Sequence, residues 1–337
     1  LGIESSCDDT SAAILKNGTI LSNVIAGQKV HEEYGGVVPE LASRAHLQNI
    51  VPVIEAAIRK ADITIQDIDA IAFTKGPGLL GSLVVGTSFA KTLALALDVP
   101  LIDVNHMYGH VLAHFIADEE RSKPKFPFLC LTVSGGHTQI VLVKNYLDMQ
   151  IIGSTIDDAA GEAFDKTAKI LGFTYPGGPL IDQYAEKGDA ARFSFSKPRV
   201  GGYDYSFSGL KTAILYFIRK EEEKNPQFIQ DNLHDLCASI QKTIIDILMK
   251  KLVAASKELG ISEIAIAGGV SANSGLRSRL KELGISYGWN TYIPRFEYCT
   301  DNAAMIAITG KFMFDKQLFT DQSVTAQARV PFGISWK

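Results

Sequence analysis

Residues 1–26, LGIESSCDDTSAAILKNGTILSNVIA, and residues 129–154, LCLTVSGGHTQIVLVKNYLDMQIIGS, carry one device twice. Each runs from a short apolar strand into a sharp polar or glycine-rich loop, a second strand, a turn and a third strand. In the first copy the strand Leu1–Glu4 meets the loop Ser5–Thr10, and Asn17-Gly18 turns the strand Ser11–Lys16 into Thr19–Ile25. In the second, Leu129–Val133 meets Ser134-Gly135-Gly136-His137-Thr138, and Lys144-Asn145 is the expected turn between Gln139–Val143 and Leu147–Ile152. A longer echo follows. Ile68–Phe73 leads into Gly76-Pro77-Gly78 and an apolar helix, as Ser262–Ala267 leads into Gly268-Gly269 and a helix. The repeat predicts a duplicated α/β architecture of two domains.

Paired loops of this kind have a physical use. Glycine-rich turns and helix N-termini expose backbone N–H groups that bind anions, so two such loops can hold a polyphosphate between them. Ser5, Ser6 and Thr10 add hydroxyl donors. Asp8 and Asp9 would repel a phosphate and suit a phosphate-bound cation or its waters. The plain alternative is that each loop only joins two strands of a hairpin.

The 337 residues, 46% hydrophobic and 21% charged, suffice for two ordinary domains with separate cores. No targeting segment or Arg-rich presequence is visible at Leu1, and an opening inside a strand leads us to expect a few preceding native residues. The longest uncharged apolar stretch, Gly76–Ala90, has 15 residues and four glycines, short of the roughly 20 needed to span a bilayer. No membrane association is expected. Cys7, Cys130, Cys237 and Cys299 form no CxxC pair, which argues against a disulfide framework or thiolate zinc site and for a reducing cytoplasm.

The net charge of −4 excludes a surface uniformly coated for nucleic acid but leaves room for a local patch. Between Lys187 and Lys220 seven basic residues face two acidic ones, interleaved with Phe193, Phe195, Tyr203, Tyr205 and Phe207. Such a mixture suits phosphates and stacked bases; the competing reading is a solvated face whose aromatics fill the core.

Further along, Pro39–Ala61 has helical apolar spacing, with Pro52 expected to kink or split it. Glu119–Pro127 has the composition of an interdomain connection, and Thr300 is a plausible N-cap of the closing helix. His106 and His110 stand at i and i+4, on one face if the segment is helical, the spacing for two ligands to one metal; the plain alternative is two ordinary polar residues. A third ligand must come from elsewhere, and Asp301 is a candidate. Met107 occupies the place where a zinc protease carries Glu, so that class fails. Ala267–Asn273 is a strand–Gly–Gly–helix element that lets a nucleoside lie against backbone. Asp165 and Asp182 stand near helix starts, where carboxylates can accept hydrogen bonds from ribose.

These motifs together, from Ser5–Thr10 through Tyr34–Arg44, Gly76–Gly78, His106/His110, Ser134–Thr138, Asp157–Lys169, Pro176–Pro179, Phe207–Lys211 and Ala267–Asn273 to Thr300–Asn302, resemble the bacterial TsaD family over nearly the whole chain. The resemblance implies a duplicated actin-like ATPase (ASKHA) fold, with domains at 1–104 and 105–337 and the last helix able to pack back on the first. The implied activity is transfer of threonylcarbamoyl from threonylcarbamoyl-AMP to N6 of adenosine 37 in tRNAs reading ANN codons. It implies one metal, iron with zinc as the alternative, on His106, His110 and Asp301. Threonylcarbamoyl-AMP, or ATP/ADP, is expected on Thr132, Val133, Ser134, Gly135, Gly136, Asp165, Gly178, Asp182 and Asn273. The general base is open among Asp8, Asp9 and His137. Implied partners are tRNA, a paralogous actin-like subunit (TsaB), a small P-loop ATPase (TsaE) and a separate threonylcarbamoyl-AMP synthase, all cytoplasmic. A sugar- or acetate-kinase type of actin-like enzyme is the competing class.

Overall fold

The computed structural model describes residues 1–28, 30–118 and 120–332. The chain forms two units, one of Leu1–Pro124, Lys144–Met149 and Pro294–Lys337, the other of Lys125–Val143 and Gln150–Ile293. The first passage between them, at Pro124/Lys125, falls inside the charged, proline-bearing segment expected to connect domains. The first unit nevertheless reaches beyond the expected boundary at 104, because the helix after its last strand and a late segment of the chain both pack within it.

In the first unit come β1 (Gly2–Glu4), β2 (Thr10–Lys16), β3 (Thr19–Ala26), α1 (Val30–Tyr34), α2 (Pro39–Lys60), β4 (Ile71–Gly76), α3 (Leu80–Leu97), β5 (Leu101–Asn105) and α4 (His106–Leu112). The β2–β3 turn has positive φ at both Asn17 (54°) and Gly18 (87°), the backbone that an Asn-Gly hairpin supplies. Helix α2 runs through Pro52 and is not split. Pro52 and Gln48, whose carbonyl the proline leaves without its helical donor, are both exposed, so water can take the missing bond.

The second unit holds β6 (Phe128–Val133), β7 (Thr138–Asn145), β8 (Asp148–Ser154), α5 (Ala160–Ile170), α6 (Gly177–Ala185), α7 (Ser208–Glu222), α8 (Phe228–Leu259), β9 (Glu263–Ala267), α9 (Ser274–Tyr287) and β10 (Asn290–Tyr292). The β7–β8 turn lies at Tyr146-Leu147, two residues beyond the expected Lys144-Asn145. Asn145 ends its strand and instead accepts hydrogen bonds from the N–H groups of Leu147 and Asp148. Tyr146, at this tip, belongs to the first unit and stacks within it on Phe312, with ring centroids 3.9 Å apart.

The sheets have the orders β3-β2-β1-β4-β5 and β8-β7-β6-β9-β10. In each, three antiparallel strands continue into two parallel ones, so the repeat seen in sequence is a repeat of topology. Each unit has its own apolar core, built on Ile3, Ile71 and Phe73 in one and on Leu129, Leu131 and Ile266 in the other.

The closing helix α10 (Ala303–Phe314) belongs to the first unit and packs on β1, β2, β4 and β5. Gly2 permits that approach: a Cβ there would stand 2.6 Å from the Ala303 carbonyl oxygen. The N-cap is Asn302 rather than Thr300, its side chain accepting from Met305 N at 3.0 Å. Among the described residues α3 alone is long and apolar enough to cross a membrane, since it is counted through its single Lys91. It lies along the first unit, burying Ser82, Leu83, Gly86, Thr87, Ala90 and Ala94, as a core helix does.

Candidate metal centre

Strand β5 delivers the two histidines. Asn105 ends the strand and caps α4 by accepting from Met107 N at 2.9 Å, which fixes His106 at the first helical position and His110 one turn later. Both side chains are buried, with ring centroids 4.7 Å apart, edge to face. Asp301 arrives from the other end of the chain. Its segment is fixed by the Asn302 cap and by Ala303 N, which donates to Ser11 Oγ on β2 at 2.8 Å. Asp301 Oδ1 then lies 3.3 Å from His106 Nε2 and 3.2 Å from His110 Nε2. One donor atom from each residue falls within 4.8 Å of the other two.

The donor set fits a metal. Neither ring nitrogen of buried His110 has a hydrogen-bond partner of good geometry, which is costly for an imidazole unless its lone pair meets a Lewis acid. Two imidazoles and a carboxylate also make the three-donor set typical of non-haem iron, and one that zinc accepts. Burial opposes ionisation of both Asp301 and His106, yet their mutual attraction wins. Asp301 is held far below the usual carboxylate range by His106 and His110, and His106 is raised well above an ordinary imidazole by Asp301 and Glu4.

Glu4, at the end of β1, is the residue that sequence reading missed. It is fully buried; Oε1 accepts from Ser6 N at 2.5 Å, Oε2 accepts from Thr74 Oγ1 at 2.6 Å, and Oε2 lies 3.1 Å from His106 Nδ1. Burial pushes its carboxyl up, but His106 outweighs it and holds Glu4 below the usual range. An acidic residue closing an otherwise apolar strand was the available signal.

His46, also missed, supports the loop that follows. Its Nε2 lies 3.0 Å from the Cys7 carbonyl oxygen and its Nδ1 2.7 Å from Thr10 Oγ1, while Ser82 Oγ donates to the same carbonyl at 3.0 Å. Gly78 lets α3 start against this loop, because a Cβ there would stand 2.4 Å from Ser6 O. Within the loop, burial and then Asp8 raise the Cys7 thiol far above its ordinary value, which removes it as a nucleophile. Asp9 is pushed up to about 7, by burial first and then by Asp8, Asp301 and Glu4.

The second unit treats its expected binding residues differently. Thr132 and Val133 lie inside β6 with no exposed surface; Ser134 is half-buried, and Gly135 and Gly136 are exposed. Ser134 Oγ accepts from His137 N at 3.1 Å, and Ser134 N donates to His137 O at 2.8 Å, closing the loop. Gly268, at φ 87°, abuts its base: a Cβ would stand 2.5 Å from Val133 O. Asp165 Oδ1 accepts from Gly177 N at 2.9 Å and Gly178 N at 3.1 Å, tying α5 to the start of α6. Asp182 accepts from both Ser274 N and Ser274 Oγ at 2.8 Å, beside Asn273, which caps α9 and donates to Gln241. These groups form a connected frame of helix starts. Asp8 and Asp9 stand in the first unit and His137 in the second.

The Lys187–Lys220 segment resolves into both of its readings. Phe195, Tyr205 and Phe207 are core residues, so those aromatics are not a base-stacking surface. The charges stay outside, where Arg192 pairs with Asp235 and Lys197 with Asp246.

The family model described as TsaD, tRNA N6-adenosine threonylcarbamoyltransferase, matches residues 19–308. The protein of that name from Riemerella anatipestifer is 64% identical over 334 residues, covering 99% of this chain and 98% of the relative. Its namesake from Christiangramia forsetii is 63% identical over 332 residues, 98% of each chain, and that from Thermosipho africanus is 49% identical over 331 residues, 97% of each. Among solved structures, HypF from T. kodakarensis gives a TM-score of 0.61 at 14% identity over 96% of this chain and 48% of that one. This last likeness is one of fold.

Proposed function

Because this chain belongs to the TsaD family of tRNA N6-adenosine threonylcarbamoyltransferases, we propose a division of its chemistry in which the first unit holds a catalytic metal and the second receives the adenylate donor. The chain is a transferase of actin-like fold that places a threonylcarbamoyl group on the N6 amine of a tRNA adenosine. In the finer reading the donor is threonylcarbamoyl-AMP and the acceptor adenosine 37 of tRNAs reading ANN codons. The convergence of His106, His110 and Asp301 from positions 106 to 301 carries the proposal.

His106, His110 and Asp301 hold the ion, iron before zinc because the donor set is two imidazoles and one carboxylate. When bound, the ion supplies Lewis acidity toward a phosphate or carbamoyl oxygen. The chain's own residues do the rest. The exposed glycine backbone at Gly135 and Gly136 suits the phosphate of the adenylate. Gly178 and Asn273, framed by Asp165 and Asp182, suit its nucleoside. An adenosine amine is a weak nucleophile, so holding it over the face of the carbamoyl carbon, where the new N–C bond forms as the bond to AMP breaks and AMP leaves, contributes much of the rate. The attacking amine must also lose a proton. Of Asp8, Asp9 and His137, we take Asp9 as the base, its carboxyl being pushed up to about 7, by burial first and then by Asp8, Asp301 and Glu4.

The partners are tRNA, a paralogous actin-like subunit, a small P-loop ATPase and a separate synthase that makes the adenylate, in the cytoplasm where tRNA is modified. Leu80 and Val84 on α3 and Leu47 and Val51 on α2 are exposed apolar side chains on packed neighbouring helices, a surface suited to the paralogous subunit. The deciding experiment supplies purified adenylate, unmodified tRNA and the two partner proteins and measures threonylcarbamoyladenosine by mass spectrometry. Modified nucleoside that depends on this chain supports the reading; tRNA that stays unmodified while the adenylate is intact sinks it.

A further inference from the structure

We propose that Glu4 is a positioning residue that dictates which nitrogen of His106 faces the metal, making His106 the fixed ligand of the pair and His110 the adjustable one. The inference rests on His106, His110 and Asp301 being the ligands.

His106 is held at both ends. Its Nε2 lies 3.3 Å from Asp301 Oδ1, and its Nδ1, on the opposite side of the ring, lies 3.1 Å from Glu4 Oε2. An ionised carboxylate only accepts hydrogen bonds, so Nδ1 carries a proton where it faces the buried Glu4; Nε2, which faces Asp301 within the ligand cluster, is then the nitrogen that gives up its proton and turns its lone pair to an ion bound there. Glu4 is itself immobilised, by the Ser6 N–H on its own loop and by the Thr74 hydroxyl on β4. Ser6 Oγ stands 3.1 Å from the same Nδ1 and adds a second polar neighbour. His110 has no equivalent. Its Nδ1 is buried without a partner, so only packing and Asp301 orient that ring.

The charge of Glu4 is the telling feature. A glutamine, of the same length, could pair with Ser6 N–H and Thr74 without placing a carboxylate in the core, and burying an ion costs several kcal/mol unless it is paired. Its companion is His106. A purely structural Glu4 would stabilise the loop and leave metal affinity untouched.

Glu4→Gln keeps the shape and removes the charge. We expect its affinity for Zn(II) and Fe(II), measured by competition with a chelator, to fall about 10–100-fold while far-UV circular dichroism is unchanged. In zinc-loaded wild-type protein, ¹⁵N spectra should show His106 protonated at Nδ1, a readout that decides the matter even if the variant fails to fold. Equal affinity in the two proteins, or a wild-type His106 protonated at Nε2, overturns the role of Glu4 alone. Wild-type protein that takes up neither metal overturns the ligand assignment itself, and the inference with it.

Discussion

The loops that follow β1 and β6 occupy equivalent places in two sheets of the same strand order, yet they have been put to different uses. The loop at Ser5–Thr10 is packed among ionisable groups, with Glu4, His46 and His106 all buried beside it. Its counterpart at Ser134–Thr138 offers two exposed glycines and has its carboxylates, Asp165 and Asp182, turned to helix starts. Duplication supplied one scaffold twice. Side chains at the strand end then filled one copy with buried ionisable groups and left the other as exposed glycine backbone, the contrast on which the proposed division into a metal side and an adenylate side rests.

The sharpest way to break this contrast is His110→Ala. The variant should keep its fold, lose stoichiometric metal and lose more than the roughly 100-fold of activity that a merely supporting residue contributes. Elemental analysis showing full metal content would return the first loop to a structural role. On the other side, Gly268→Ala should destabilise the protein by about 3 kcal/mol, since the new Cβ meets Val133 O at 2.5 Å and φ is positive. Denaturant melts check it, and a midpoint unchanged from wild type would mean that the loop base can yield.

Asp9 sharpens the contrast through pH. Its folded carboxyl titrates at about 7 against an ordinary 3.8, so the folded state binds this proton more tightly than the unfolded chain. Stability is therefore lost as pH rises between those values. In chelator-treated protein, Asp9→Asn should come close to wild type near pH 4 and exceed it above pH 7 by up to about 4 kcal/mol. Melts that differ equally at every pH would contradict this. The smallest effect belongs to the exposed charges of the second unit. Reversing Lys197 and Arg199 to Glu should weaken tRNA binding several-fold and flatten its salt dependence, with little change in stability because the Lys197–Asp246 pair is solvent-exposed. An unaltered salt slope would remove this segment from the tRNA surface.

Much of this was legible in the residues. Alternating apolar runs and Asn17-Gly18 located the first hairpin, and the repeat at 129–154 announced the second sheet. The i, i+4 spacing placed both histidines on one face of α4. What could not be read was long-range pairing. Alternation tells which side of β1 Glu4 takes, but not that Thr74 and His106, some 70 and 102 positions away, close around it. The aromatic segment left two readings open for a related reason, since Phe195, Tyr205 and Phe207 lie in a stretch without regular periodicity and their burial depends on helices elsewhere in the chain. Thr300 and Asn302 are both good capping residues, and only the docking of α10 chose between them.

The order in which the two units become complete differs from the order in which they begin. Segments of the second unit lie between 125 and 293, whereas the first unit needs Pro294 onward, including Asp301 and α10. A ribosome that has reached residue 293 has therefore made every part of the later-starting unit, while β1 and β2 of the nascent chain still lack the helix that covers them. The half begun first is finished last. His106 and His110 wait through the synthesis of about 190 further residues for their carboxylate, so a translation product cut short in that interval carries a complete second unit and an imidazole pair with no third ligand. Under the ligand assignment proposed above, metal uptake would report that translation has passed Asp301.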